Sequence, residues 1–546
     1  MSSTQVVILG GGATGAGILW DLTLRGIPAI LLEQADIANG ATGRCHGLLH
    51  SGGRYAVKDV QTARDCLAEN RILKRIAPHC VEDIGGLFVQ LPGDDPTFFE
   101  RWWRAAHEAG IPTKRLTAEE ARALEPGLAE GVLGAFTCPD AHVDVFRLVL
   151  ANLEAAVARG AGFRSYAQAT AIETDGGRVQ AVRYRDTRSG EEHRVVCEMV
   201  VNAAGGWAQQ VAALAGATVP VTCDKGTLLV LNHRFSQRVI NRCRVPGDAD
   251  ILVPAGPVCL LGTSSIVVPE PDGLTASTEE IDELLRQGGL MLPSLAEARI
   301  LRTFSGVRAL YTPPSAATGG REASRSFALL DHEELDGVAG FVSIVGGKLT
   351  TYRRMAEATA DCVARKLGVD AACTTATTPL RPAHHAHLQQ RAERMMERPV
   401  AEKLVERRGA QAELIVAAME KRPELAELVC ECEMVTRGEI EFALGGSMLT
   451  QAQTIADLGR RTRLGFGPCQ GTYCGYKAML AGFATRRWSA EQSVEEFTRY
   501  LNERWKGQAF LQEGKQLEQL ELSRGLYGDE ALAAAAAGDG HARKSL

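Results

Sequence analysis

The stretch "VVILGGGATGAGILWDLTLRG", Val6 to Gly26, sets the fold. An apolar strand-like run enters three glycines, Gly10, Gly12 and Gly15, in GxGxxG spacing, and an apolar helical pattern follows at once. Glycine triplets are common, so the spacing carries weight only in context. Here the next apolar run, "IPAILLEQ", ends in Glu33, eighteen residues after Gly15. Strand, glycine turn, helix, strand and acid is the order a dinucleotide fold requires. The glycines let a pyrophosphate approach backbone N–H groups at a helix N-terminus. Glu33 is placed to accept hydrogen bonds from an adenosine ribose, and its charge disfavours a 2′-phosphorylated nucleotide.

Two more glycine-bearing turns follow. "RVVCEMVVNAAGGWA" (194–208) carries Gly205 and Trp207, and "GGKLTTYR" (346–353) carries Gly347, Lys348, Leu349 and Thr350 ahead of an amphipathic helix. After Glu33 the chain runs "ADIANGATGRCHGLLHSGGRYAV", with Thr42, Gly43, Gly47 and Leu48 among its small and apolar residues. A nicotinamide enzyme would reach its third strand sooner. Three turns converging on one long ligand favour FAD over NAD. The helix after Lys348 would set its N-terminus against the flavin and stabilise the anion formed on reduction.

The length of 546 residues suggests two or three domains. Strand and helix patterns alternate to about residue 370, which predicts an α/β fold. FAD-binding segments are expected at about 1–84, 151–219 and 326–370, with an inserted α+β substrate domain at about 85–150 and 220–325. A Thr/Pro-rich linker and helix are expected over 371–425, a cysteine-bearing unit over 426–480 and a helical tail over 481–546. Lys+Arg total 60 against 66 Asp+Glu, with no basic stripe, which argues against nucleic-acid binding. No run of eighteen apolar residues occurs, so no spanning helix is expected, and "MSSTQVVILGGG" lacks the charged n-region of a secretory leader. His384, His385 and His387 sit in a polar linker without partners at ligand spacing and are read as solvated surface.

Ten of the 14 cysteines are scattered singly and read as small core hydrophobes. The other four are paired: Cys430 and Cys432 in "VCECEMV", then Cys469 and Cys474 in "GPCQGTYCG". A one-residue spacer fits a tetrahedral zinc knuckle poorly, whereas two close thiolate pairs suit a 2Fe–2S cluster. Zinc stands second, then no metal, and a redox dithiol lacks its C-x-x-C spacing.

Taken together, "ILGGGATGAGI", "DIANGATGRCHGLLHSGGRYAV", "ENRILKRIAPHC", "VINRCRVPGDADILVP", "FSGVRAL", "GGKLTTYR", "VCECEMVTRGEI" and "CQGTYC" resemble the FAD-dependent glycerol-3-phosphate dehydrogenases, the catalytic A subunits of the anaerobic bacterial type above all. "LNERWKG" and "SRGLYG" extend the likeness into the tail, and the cysteine segment resembles the bacterioferritin-associated-ferredoxin-like domain. The resemblance implies a Rossmann-like fold of the D-amino-acid-oxidase superfamily, bound FAD, a 2Fe–2S cluster, and oxidation of sn-glycerol 3-phosphate to dihydroxyacetone phosphate. It also implies two partners, a second flavoprotein subunit with a membrane-associated iron–sulfur subunit delivering to quinone, and a cytoplasmic chain held peripherally at the membrane's inner face. Two departures stand out: Ala309 follows Arg308 where the family has proline, and Leu228 in "DKGTLL" replaces the histidine of aerobic relatives.

A phosphate ester needs cations. Arg308 is the first choice, since a guanidinium binds phosphate oxygens bidentately, with Arg54 and Arg325 behind it. Lys348 is expected to bind substrate oxygens or favour the reduced flavin. His50 is the expected general base, with His46 as the alternative. Two other readings are a same-superfamily dehydrogenase of a 2-hydroxy acid or amino acid, with Arg308 on the carboxylate, and a non-catalytic FAD/iron–sulfur carrier.

Overall fold

The computed structural model describes residues 3–313, 326–380, 386–445 and 451–505, with scattered residues between 507 and 522. Arg325, His384, His385 and the tail beyond residue 522 lie outside the described residues; His387 is exposed.

The first layer is a six-stranded sheet of β1 (Val6–Leu9), β2 (Ala29–Leu32), β3 (Gly162–Arg164), β4 (Met199–Asn202), β5 (Phe327–Asp331) and β6 (Phe341–Gly346), in the order β5-β6-β4-β1-β2-β3. All pairings are parallel except β5 with β6. β1, β2 and β4 are buried along their whole length, as apolar runs in a two-sided parallel sheet must be. Helices α1 (Ala13–Leu24) and α2 (Tyr352–Lys366) pack on it, and Tyr352 sits hard against Gly17: a Cβ there would lie 3.0 Å from the ring. A three-stranded antiparallel meander, 167–196, branches between β3 and β4. The sequence pattern read this stretch as more of the alternating fold; its long strands are half-exposed, which blurs their periodicity.

The second layer is a nine-stranded sheet built from 86–138 and 221–311. Its backbone is the antiparallel pair Val221–Leu231 and Ile300–Tyr311, whose register sets Asp224 opposite Arg308. Its own apolar cluster includes Leu87, Val89, Leu229 and Leu252.

The last unit comprises the two short strands Leu428–Cys430 and Val435–Thr436 followed by α3 (Arg437–Leu444), α4 (Ile455–Thr462), α5 (Cys474–Ala484) and α6 (Ala490–Trp505). Capping boxes at Thr436/Glu439 and Thr454/Asp457 fix the starts of α3 and α4. This unit docks on the dinucleotide sheet through α4. Arg461 grips Asp36 with both arms (2.7 and 2.8 Å), and both side chains are sealed from solvent. Arg460 adds contacts to Asp36 (3.2 Å) and Asn39 (2.9 Å), and the Tyr166 hydroxyl donates to Asp457. Arg463, a left-handed residue at the end of α4, joins Asp144 (3.0 Å) and Glu433 (2.8 Å).

Removing one partner of a buried ion pair leaves an uncompensated charge and costs about 3–5 kcal/mol. Asp36→Asn should therefore cost stability of that order in chemical denaturation, and limited proteolysis should release the cysteine-bearing unit first. The pH dependence has a definite sign. The arginines hold Asp36 at about 2 against burial, below its ordinary 3.8. Its contribution is therefore complete above pH 3.8 and is lost as pH falls towards 2, a loss that Asp36→Asn should abolish.

Candidate functional site

The glycine turn of β1 and α1 follows from backbone sterics. Gly10 has φ +119°, and a Cβ there would lie 2.5 Å from the Ala203 carbonyl oxygen; at Gly15 a Cβ would lie 1.9 Å from the Gly10 oxygen. Neither position admits a side chain. At the helix start, the Ala13 N–H donates to the Thr42 hydroxyl (3.1 Å). The Glu33 carboxylate accepts from Gly11 N–H (2.6 Å) and Ala35 N–H (2.9 Å), and burial raises its pKa.

This turn forms one wall of a cavity of about 1100 Å³. Gly10, Gly12, Glu33, Thr42, Leu48, Gly205, Trp207, Gly347, Lys348 and Leu349 line it, together with His46, His50, Arg54 and Arg308. Gly15, Gly43, Gly47 and Thr350 stand behind the wall. A Cβ on Gly43 would meet the Ala38 oxygen at 2.2 Å, and one on Gly47 the Val143 oxygen at 2.5 Å. The Thr350 hydroxyl accepts from His50 N–H (3.0 Å), so it fixes the histidine's backbone. Gly346 and Gly347, both at positive φ, make the turn that brings Lys348 to the cavity.

The charged end of the cavity is held from both layers. Arg308 donates to Asp224 (2.9 Å) and to the Ser264 carbonyl (3.0 Å), and also to the Thr263 hydroxyl. Its guanidinium lies over Gly226, where a Cβ would come within 2.5 Å. Arg54 is deeper: one nitrogen donates to the buried Asp250 (2.8 Å), while Nη1 is buried with no hydrogen-bond partner. His46 Nε2 is buried and unpartnered likewise. Lys348 Nζ stands 4.6 Å from the Tyr55 ring centre, and Tyr55 meets His50 edge-on. Burial, reinforced by Lys348, Arg54 and His46, lowers the His50 pKa to about 3; burial likewise takes His46 to about 3. Both imidazoles are therefore neutral near pH 7.

The sequence reading gave Asp224, Tyr55 and Arg44 no role. Asp224 orients Arg308; its signal lay in a strand register that spans 84 residues of chain. Tyr55 and Arg44 also line the cavity, as do Leu228 and Ala309, the two departures from the family pattern. The cavity suits FAD on this structure's own terms: a glycine turn that excludes Cβ atoms, a buried acid at the strand end, and two lining residues, Arg54 and His46, that each keep a buried nitrogen unpartnered.

The four paired cysteines meet at the other end of the chain. Cys474 interacts with both Cys430 and Cys469, and Cys469 with Cys432. The Cys474 thiol, shared between Cys430 and Cys469, favours their charged forms and lowers both, while its own proton is held more tightly and burial raises Cys432. Among the described residues no group of three or more His, Cys, Asp or Glu is set to hold a single metal ion. The sulfurs instead run as neighbours, Cys432 to Cys469 to Cys474 to Cys430. Two thiolates per iron is the donor set of a 2Fe–2S cluster. Space for it is kept by glycines: a Cβ on Gly467 would lie 2.3 Å from that of Cys432, and one on Gly471 would lie 1.8 Å from the Tyr500 hydroxyl, itself buried with no hydrogen-bond partner. The remaining cysteines are free thiols, buried except for the half-buried Cys45 and Cys373.

Comparison with known proteins agrees with both sites. The family model of FAD dependent oxidoreductases matches residues 5–353, and that of the BFD-like 2Fe-2S binding domain matches residues 428–479. The chain is 44% identical to the A subunit of anaerobic glycerol-3-phosphate dehydrogenase from Escherichia coli K12, over 96% of each chain. It is 40% identical to the A1 subunit of the enzyme of that name from Haloferax volcanii, over 96% of this chain and 90% of that one. Among solved structures, the FAD complex of Bacillus halodurans glycerol-3-phosphate dehydrogenase superposes with a TM-score of 0.71 at 23% identity, covering 92% of this chain and 95% of that one. With a cavity shaped for a dinucleotide at one end and a thiolate quartet at the other, this chain belongs to the FAD dependent oxidoreductases and, within them, to the family of anaerobic glycerol-3-phosphate dehydrogenase A subunits.

Proposed function

We propose that this chain oxidises sn-glycerol 3-phosphate to dihydroxyacetone phosphate and sends the electrons through its own iron–sulfur centre to partner subunits and quinone. The observation that carries the reading is the meeting of Arg54, Arg308, Lys348, His46 and His50 at one end of the dinucleotide cavity. Similarity over 96% of the Escherichia coli relative lends support. Bound FAD supplies a two-electron hydride acceptor, and a 2Fe–2S cluster passes electrons on singly.

The protein's part is binding, orientation and proton handling. Arg54 and Arg308, both in the cavity lining, bring their guanidiniums to the phosphate. Asp224 and Asp250 hold these two cations in place, so little order is lost on binding. His50, neutral because burial and nearby cations disfavour its charged form, takes the hydroxyl proton; an anionic substrate raises its basicity as it binds. Lys348 stabilises negative charge beside the reacting carbon. The partners in this reading are a second flavoprotein subunit together with a membrane-associated iron–sulfur subunit. The chain would work at the inner face of the membrane through them, and no described helix is long and apolar enough to cross it.

Anaerobic titration of the purified yellow protein with sn-glycerol 3-phosphate should bleach the flavin, with lactate and proline inert; a flavin reduced by dithionite but not by the phosphate ester overturns the substrate. His50→Asn should slow that bleaching by about 10²–10⁴-fold with FAD content unchanged. Because burial holds its pKa at about 3 in the free protein, kcat/KM should show no His50 titration as pH falls through 6.5, the ordinary histidine value. Arg54→Lys and Arg308→Lys should raise KM more than they lower kcat, since both lose bidentate geometry yet leave Asp250 and Asp224 a cation. Cys432→Ala should remove iron and acid-labile sulfide while FAD remains; stoichiometric zinc in the wild-type chain would end the relay reading.

A further inference from the structure

Helix α5 is packed inside out. Its buried face carries small residues, Cys474, Gly475, Ala478 and Gly482; a Cβ on Gly482 would lie 2.0 Å from the Trp488 ring. Its outer face carries large apolar ones. Tyr473 is 75% exposed, Tyr476 44%, Leu480 44% and Phe483 51%. Positions 473, 476, 480 and 483 fall at i, i+3, i+7 and i+10, one continuous stripe on a helical surface. A contiguous apolar stripe left in water marks an interaction surface. Lys477, Arg486 and Arg487 flank it, all exposed and none in a described ion pair. One end of the stripe is the cysteine centre itself: Tyr473 adjoins Cys474, and Cys432 and Cys469 are only half-buried there.

We infer that the α5 stripe is the docking face for the electron-accepting partner in the complex, an acidic-rimmed redox protein that takes electrons from the cysteine-held centre. The inference rests on the relay reading above. The position of the stripe argues for this occupant: a partner seated on it lies against the place where single electrons must leave, whereas a lipid surface there accepts none. The aromatic composition is that of protein interfaces, and the unpaired basic rim calls for acidic groups opposite. Tight packing of the small-residue face keeps the helix rigid, so the stripe is preorganised. Among the described residues, the ring contact made by the stripe within the chain is that of Tyr476 with Phe497.

The test is the double variant Leu480→Glu/Phe483→Glu, made in the full complex purified through a tag on this chain, with Lys477→Glu/Arg487→Glu alongside. Three properties should stay unchanged in both variants: flavin bleaching by sn-glycerol 3-phosphate, turnover with a small dye acceptor, and the cluster's electron paramagnetic resonance spectrum. Quinone reduction by the complex should fall by about tenfold or more, with partner subunits lost on gel filtration, as expected when central apolar anchors are removed. The charge-reversal variant should bind more weakly, and added salt, which weakens the wild-type contact, should no longer weaken it. Unchanged quinone reduction with an intact complex overturns the inference. So does a wild-type chain that is dimeric when isolated and becomes monomeric in the variant, or a variant that loses only binding to anionic vesicles. Failure of the relay reading is told apart, since it shows as absent cluster or absent bleaching in the wild type.

Discussion

A sealed ion pair, Asp36 with Arg461, governs how the two redox sites are arranged. Asp36 lies three residues beyond Glu33 on one side and three before the cavity-lining Asn39 on the other. Arg461 lies on the helix just before the second cysteine pair. The pair therefore ties the cofactor wall directly to the cysteine-bearing unit. Charges buried this deeply tolerate no relaxed geometry, because each is stable only in the other's presence. Tyr166, Arg460 and Arg463 then fix the angle of approach.

Electrostatics also organises the cavity. Cations crowd its reactive end, and each of the two arginines is braced by a buried carboxylate, so the positive charge is oriented before any anion arrives. Burial, reinforced by that crowding, keeps His46 and His50 neutral. Neutral imidazoles thus stand beside fixed guanidiniums, the arrangement that the proposed phosphate binding and proton transfer call for.

The cysteine end follows a different logic. Its thiols are held by short loops rich in glycine, and Tyr500 from α6, with Arg504 over its ring, packs against Gly465, Gly471 and Gly475. The helix that begins at Cys474 turns its small residues inward and its large ones outward. That inversion is intelligible only if the outer face has a second surface to meet, so the cluster unit joins two interfaces: α4 inward to the flavin fold, α5 outward.

Much of this was legible in the chain. Val6 to Glu33 specified the dinucleotide fold because strand, glycine turn, helix, strand and acid follow one another in a single short stretch; the contact of Gly15 with the Gly10 oxygen is local, although Gly10 itself is closed off by Ala203 from far along the chain. The turn at Gly346–Lys348 and the cysteine spacing were readable for the same reason. The half-exposed meander at 167–196 was not, since its strands lack a clean period. Nor were the braces of the cations. Asp224 holds Arg308 and Asp250 holds Arg54, pairs that lie 84 and 196 residues apart in the chain. The order of residues alone settled which chemistry the chain can hold, since cofactor motifs are local in spacing. Which charges are braced or neutral, and where the two centres sit, came only with the folded arrangement, because burial and strand register join residues far apart in the chain.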